Sequence, residues 1–437
     1  MTPINKHIEA IAAIVGTNYV NNDVNSPSKA APTTLEPPFR DLRNAIVVRP
    51  GGADEVAELV RLATTRGLVV VPFGSGTRMS PLPQTACTLL LDLSRLRHVV
   101  SLDETSLLVH VQAGLTAVEL ETILSRRGLS IGDFPPASLS SSIGGLLAVR
   151  TPGKTSTRHG FMEDIVLGVS AVLADGRTIH TRIAPRRATG PDITRAICGS
   201  EGTLGIITSA VLRIHRQPES RFTAAFKLPS ISDALAAVRI ALREEATPAS
   251  MQISDCEQSR FDHGDAVCAD DEAILLVATA GPTDLAACDR ELVASAVIAQ
   301  GGQRIDDEFA DRWWTGRNQV QHLHNRAHLE VSATPGKLLE IYQRVSAAAL
   351  AAGKTIRTHI SRFNLDGGVI FFTLARSNTD LERCSADVTA KLLPELTSTA
   401  SLAGAYLLGQ WNPILAPYFE TLRESLDPDS ILNPEIG

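Results

Sequence analysis

A chain of 437 residues exceeds the ~100–200 residues of a usual single domain, and its 44% hydrophobic and 20% charged residues exclude a disordered protein, so two folded domains are expected. A net charge of -7, from 41 Lys and Arg against 48 Asp and Glu, excludes the clustered basic face that phosphate-backbone binding needs; nucleic acid is not an expected partner. Six scattered cysteines (Cys87, Cys198, Cys256, Cys268, Cys288, Cys384) form no CxxC pair, which argues against a zinc ribbon or dense disulfide scaffold and for free thiols. The opening MTPINKHIEAIAAIVG lacks an export signal and no run of ~18 apolar residues occurs, so a cytoplasmic protein without a membrane span is expected.

In chain order, residues 1–40 read as a lead-in: one short amphipathic stretch, then the Pro-rich polar run NNDVNSPSKAAPTTLEPPF. From Asp54 the positions Val56, Leu59, Val60 and Ala63 follow helical spacing, Gly67 can close that helix, and LVVVPF reads as a buried strand. SLLVHVQ is a second strand, followed by Thr116 and Glu119 placed as an N-cap and its N3 partner, with the helix ending near Gly128. Residues 162–181 predict a strand pair turning at Asp175-Gly176, and LGIITSAVLRIH a further strand. Composition shifts after Pro218, where strands FTAAFKL and AILLVATA alternate with Ala-rich helices such as one beginning near Ser232. The ending LDPDSILNPEIG is a poor helix and is expected to dock on the core as an ordered tail.

Gly74 and Gly76 in PFGSGT follow a buried strand, where their N–H groups can converge on an anion that any Cβ would obstruct; a plain tight turn explains them equally. The cluster is neither a Rossmann fingerprint, since the third glycine is missing, nor a P-loop, since no GK[ST] follows. SSSIGG (140–145), TRHG (157–160) and GSEGTLGIIT (199–208) add three more glycine-rich turns, and together the four imply a long polar ligand lying against the backbone.

The order and content of these clusters, with AIVVRPGGADEVAELVRLA, LDLSRL, VQAGL, VLADG and ATGPDI between them, resemble the FAD-binding domain of the vanillyl-alcohol-oxidase and p-cresol-methylhydroxylase (PCMH) superfamily over residues 44–217. PASLSSSIGG, ATGPDI, GSEGTLGIIT and the ending LDPDSILNP resemble most the branch containing alkyldihydroxyacetonephosphate synthase, D-lactate dehydrogenase and glycolate oxidase. The resemblance implies an α+β protein: a two-subdomain PCMH-type FAD-binding domain over 41–217, a cap domain with an antiparallel sheet flanked by helices over 218–400, and a segment 401–437 returning to the FAD domain. FAD is the implied cofactor. Its pyrophosphate is expected against Pro72, Phe73, Gly74, Ser75, Gly76, Thr77 and Arg78, with further contacts at Pro135, Ser138, Ser141, Gly144 and Gly145. Glu201, Gly202, Gly205, Ile206 and Ile207 would hold the adenosine side. His159, with Gly160, is the histidine nearest a cofactor motif; packing against a non-covalent flavin and covalent attachment both stand.

The cap half departs from its relatives. Where the synthases carry an arginine this chain has Gln252, where they carry an acid-base tyrosine it has Phe371 to Thr373, and a His-rich run is replaced by LAGAYLLGQW. Where the metal-dependent hydroxyacid dehydrogenases read GHxGDGNxH, the chain reads THISRFNLD, keeping His359 but offering Asp366 for the second histidine, with Ala405 and Tyr406 at a later Glu-His pair; no metal is expected. His359 is read as a base for the substrate hydroxyl or as an ordinary hydrogen-bonded histidine, and Arg317 as a clamp for an anionic substrate or as an exposed helix arginine. The expected activity is oxidation of a small hydroxy acid or related alcohol by hydride transfer to the flavin. A flavin-dependent transferase and a non-catalytic flavin-binding subunit are the alternatives, and a homodimer or a redox partner subunit is the expected assembly.

Overall fold

The computed structural model describes residues 5–21, 45–76, 87–132, 139–183, 190–264, 267–315, 328–374, 394–401, 406–407 and 416–434. The chain forms two compact units, residues 1–153 with 160–216 and 413–437, and residues 154–159 with 217–412.

The described residues of the first unit form two larger sheets and one two-stranded sheet. One comprises β1 (Val20–Asn21), β2 (Ala45–Val48), β3 (Val69–Phe73) and β4 (Thr88–Asp92), in the order β1-β2-β4-β3, with β2, β4 and β3 parallel. Strands that run parallel in one sheet need a crossover, and the helix Ala53–Arg66 supplies it between β2 and β3, which flank β4. Its Val56, Leu59, Val60 and Ala63, at the spacing the sequence shows, are fully buried against Ile46, Val70, Leu89 and Leu91. Gly67 ends it at φ 62°, a left-handed conformation in which its N–H reaches the carbonyls of Ala63 and Thr64. The lead-in also contributes: helix Asn5–Val15 buries Ile11 and Val15 in the same core, and β1 pairs with β2.

The second sheet is antiparallel, in the order β5-β6-β10-β8-β9: β5 (Val99–Asp103), β6 (Leu108–Gln112), β8 (Val166–Val172), β9 (Thr178–His180) and β10 (Ile206–Arg213); β7 (Leu129–Ser130) pairs separately with β11 (His215–Arg216). Thr116 and Glu119 form the expected reciprocal capping box at helix Ala117–Ser125. The β8–β9 hairpin turns at Asp175-Gly176 as read, but Met162–Ile165 is a helical turn, not strand. There the Asp164 carboxylate accepts the Phe161 N–H at 2.9 Å and closes a local turn, which overrides the apolar content of MEDI.

The second unit is built on an antiparallel sheet, in the order β15-β12-β14-β13-β17-β18-β16-β19: β12 (Ser220–Leu228), β13 (Ser250–Ser254), β14 (Ala273–Gly281), β15 (Gln303–Arg304), β16 (His328–Ala333), β17 (Ile356–Asn364), β18 (Gly367–Leu374) and β19 (Tyr406–Leu407). Helices Ile231–Arg243, Thr283–Ala299 and Leu338–Ala351 cover one face through Ala234, Val238, Val293, Val297, Ile341 and Val345. The first of these is capped by Ser230, whose hydroxyl accepts the Asp233 N–H, and starts at Ile231, one residue before Ser232, near which its start was expected. On the opposite face helix Asp307–Thr315 covers β12 and β14, where Phe309 and Trp313 pack on Ile274, Leu276 and Ala278, and helix Cys256–His263 packs on β17, β14 and β13. The whole is an α+β protein. Among the described residues, no helix is long and apolar enough to cross a membrane.

Candidate active site

In the first unit a cleft open to solvent lies at the carboxyl end of β3. Three chain segments build it. The first is Val71 to Gly74. An added Cβ at Gly74 would overlap the Ser142 hydroxyl and lie 2.6 Å from Ser142 Cβ, so the strand end and the next segment are in direct contact. That segment starts the short helix Ile143–Ala148, whose N-cap Ser142 accepts the Gly145 N–H at 3.2 Å. Gly144 and Gly145, expected in a turn, therefore occupy the first helical turn, and a Cβ on Gly144 would come within 2.9 Å of Ala113 Cβ. The third segment is the GSEG turn, where Gly199, Glu201 and Gly202 have φ of 82°, 51° and 82°. Gly202 lies so close to Pro72 that a Cβ would sit 2.9 Å from its ring.

The tail closes this cleft from below. The Asp427 carboxylate, 1% exposed, accepts the N–H groups of Ile431 (3.0 Å) and Leu432 (2.8 Å), while Val70 N–H donates to the Ile431 carbonyl (2.7 Å) and Asn433 N–H to that of Val70 (2.9 Å). Asp427→Ala removes two hydrogen bonds to a charged acceptor. It is expected to destabilise the protein by about 2–3 kcal/mol, read as a lower denaturation midpoint at an unchanged slope.

In the second unit the strand register gathers polar groups on the sheet face opposite the Met251 and Ile253 core. Gln252 stands opposite Ser361, Ser254 opposite His359, and His359 opposite Phe371; directly opposed residues share a face. The His359 ring stacks on Phe371 at 4.4 Å and 8°, and the Arg362 guanidinium lies over the same Phe371 ring at 4.4 Å. Arg362 sits in the β17 bulge at φ 57°, a strained conformation for a residue with a Cβ. Burial, with the Arg362 charge second, pushes the His359 imidazole down to about 3, so the ring is neutral at physiological pH instead of titrating near neutrality. Asp366 is exposed in the β17–β18 turn. Among the described residues no three His, Cys, Asp or Glu side chains form a metal-ligand group.

Residues 44–182 match the family described as FAD binding domain, and residues 217–436, half of the chain, match FAD linked oxidases, C-terminal domain. The chain belongs to the FAD-linked oxidase family. FAD is accordingly its cofactor. The cleft fits it: Gly74, Gly144, Gly145, Gly202 and Gly205 bring backbone to its lining, and Val71, Leu93, Ile206 and Ile207 offer apolar walls. The chain is 31% identical over 220 residues to alkyldihydroxyacetonephosphate synthase of Dictyostelium discoideum, covering 49% of this chain and 36% of that protein. It is 31% identical over 242 residues to D-lactate dehydrogenase [cytochrome] 1, mitochondrial, of Saccharomyces cerevisiae, covering 53% and 41%. It is 25% identical over 430 residues to glycolate oxidase subunit GlcD of Bacillus subtilis, covering 91% and 89%. The first two relatives are thus matched over well under two thirds of their length. Among solved structures, alkyldihydroxyacetonephosphate synthase superposes with a TM-score of 0.75 at 22% identity, covering 89% of this chain and 76% of the other. The 4-ethylphenol oxidase of Gulosibacter chungangensis does so with 0.75 at 16%, covering 99% and 96%. Both are likenesses of fold.

Of the residues expected at the cofactor, Pro72, Phe73, Gly74, Gly144, Gly145, Glu201, Gly202, Gly205, Ile206 and Ile207 line the cleft. Ser75, Gly76, Ser141 and Gly160 are described but not among its lining, and His159 ends helix Ser156–His159, which packs on β13 and β17 in the second unit. Thr77, Arg78, Pro135, Ser138, Arg317 and Ala405 lie outside the described residues. Sequence reasoning missed Ser142, Asn433 and Arg362. Ser142 had a signal, an N-cap residue ahead of an apolar-glycine run, whereas nothing local marks Asn433.

Proposed function

We propose that the chain oxidises a small anionic hydroxy acid or related alcohol by hydride transfer to FAD. The observation that carries this reading is a neutral imidazole, His359, that shares the Phe371 ring with the Arg362 cation and a sheet face with the uncharged hydrogen-bonding groups of Gln252 and Ser361. Arg362 supplies the charge that a carboxylate pairs with, and a guanidinium matches that group bidentately. His359 accepts the hydrogen bond of the substrate hydroxyl at a ring nitrogen. A bound carboxylate offsets the Arg362 charge, raises the basicity of the ring and readies it for the hydroxyl proton. FAD, when bound, supplies the hydride acceptor at N5. Arg317, outside the described residues, remains in this proposal as a second anion clamp.

The test is anaerobic mixing of the FAD-loaded protein with D-lactate, glycolate and D-2-hydroxyglutarate. Bleaching of the flavin is the expected result, slowed about 100-fold or more in His359→Gln; no bleaching across a broad hydroxy-acid panel sinks the proposal. A second reading, a flavin-binding subunit of a larger oxidase, is favoured by the nearly full-length similarity to a protein itself named as a subunit, GlcD. Bleaching that requires a copurified partner would select it.

A further inference from the structure

We propose that the side-chain oxygen of Asn433 is a direct ligand of FAD, accepting a hydrogen bond from a hydroxyl, amino or ring N–H group of the dinucleotide. Asn433 lines the cleft and is only 5% exposed. The orientation of its carboxamide is fixed by chemistry: one branch lies 2.7 Å from the Glu201 carbonyl oxygen, which can only accept, so that branch is Nδ2. The other is therefore Oδ1, and it is buried with no hydrogen-bond partner among the described residues. A buried acceptor left unmet is costly, and native structures meet nearly all of them. The site is also built with care. Asn433 holds φ 44°, between its own N–H bond to Val70 and the Asp427 clamp on the two preceding residues.

An acceptor selects donors. The phosphate oxygens of a dinucleotide are ionised at neutral pH and only accept, so they cannot meet Oδ1. The ribose and ribityl hydroxyls, the adenine amino group and the flavin N3–H can. The inference rests on FAD as the cofactor and is independent of the substrate reading.

Asn433→Gly tests it, because glycine keeps the positive φ while removing the carboxamide. The flavin-free wild type and variant are titrated with FAD, and separately with ADP and FMN, while thermal melting of the flavin-free protein monitors the fold. Loss of one buried hydrogen bond is expected to raise the FAD Kd about tenfold. A matching loss in the ADP or the FMN titration assigns the donor to the adenosine or the flavin half. Asn433→Asp keeps an acceptor and loses only the bond to Glu201, so its FAD Kd is expected within about threefold of wild type, with a lower melting temperature. An Asn433→Gly Kd within twofold of wild type, or equal losses in Gly and Asp variants, overturns the proposal. Should Asn433→Gly fail to fold, Asn433→Asp alone decides: a tenfold loss there overturns the acceptor role.

Discussion

Gly74→Ala is expected to yield a protein that retains little or no flavin through purification. The new Cβ would overlap the Ser142 hydroxyl and sit 2.6 Å from Ser142 Cβ, and neither side is free to withdraw. Phe73 is held in register against Asp92 of β4. Across the gap, Ile143 N–H donates to the Leu115 carbonyl at 2.8 Å and Gly144 N–H to that of Ala113 at 2.7 Å. Overpacking of this kind costs about 1–3 kcal/mol, and here the displaced atoms are the walls of the cleft proposed to hold FAD. A rise in FAD Kd of at least tenfold follows, since ~1.4 kcal/mol is tenfold. Flavin-to-protein absorbance of the purified variant, an FAD titration and a thermal melt measure it. Adding Ser142→Ala relieves only part of the defect, because the Cβ-to-Cβ clash remains. Gly67→Ala, also a strained site at φ 62° but with nothing within 4 Å, is expected to cost about 1 kcal/mol and leave FAD affinity unchanged. A Gly74→Ala protein with wild-type flavin content would refute the contact between β3 and the helix start.

Acid is expected to destabilise the protein less in His359→Gln than in wild type. The unfolded chain protonates histidine near ~6.5, while folded His359 does so only at about 3. Between those values the unfolded state binds the extra proton, so the contribution of His359 to stability is lost as pH falls. Asp255 works in the opposite sense. Buried at 6% exposure as the N-cap of helix Cys256–His263, it is pushed up to about 6 by burial, so the folded state holds its proton where the unfolded one does not. Its contribution is present below ~4 and is lost as pH rises through about 6. The two slopes oppose each other between roughly pH 4 and 6 in the wild type. Removing His359 leaves that of Asp255, so the variant gains on the wild type as pH falls from ~6.5, by several degrees in Tm at the acid end. Equal Tm differences at neutral and acid pH would show that His359 titrates normally.

Local chemistry explains which elements could be read in advance. The helix Ala53–Arg66, its Gly67 stop, the capping box at Thr116 and the Asp175-Gly176 hairpin are fixed by neighbours within a few residues, and all stand as the sequence suggests. Met162–Ile165 misled because its apolar residues satisfy strand and helix alike, and an Asp164-to-backbone bond decides between them. The cleft glycines announced themselves as a set because each must leave room for a neighbour: Ser142 at Gly74, Ala113 at Gly144, Pro72 at Gly202. Asn433 and Arg362 carried no such mark. The role of one comes from a carbonyl more than 200 residues away in sequence, and that of the other from a bulge and a ring on the adjoining strand. The near-neutral titration expected of His359 failed for the same reason: burial and a neighbouring cation are properties of the assembled sheet, invisible in THISRFNLD.

Leu432 bridges to Val70 across more than 300 residues of chain, and that separation gives the protein a timetable. On a ribosome adding ~5–20 residues per second, β3 waits roughly 20–70 s for the segment that lies along it. In that interval the edge of β3 that Ile431 and Asn433 later bond is an open strand edge, the kind of surface on which nascent chains aggregate. The whole second unit, compact in itself, is synthesised within the same interval. Flavin loading is therefore expected to wait for the tail, and a pulse of synthesis should yield nascent chains with a folded cap well before they hold any cofactor.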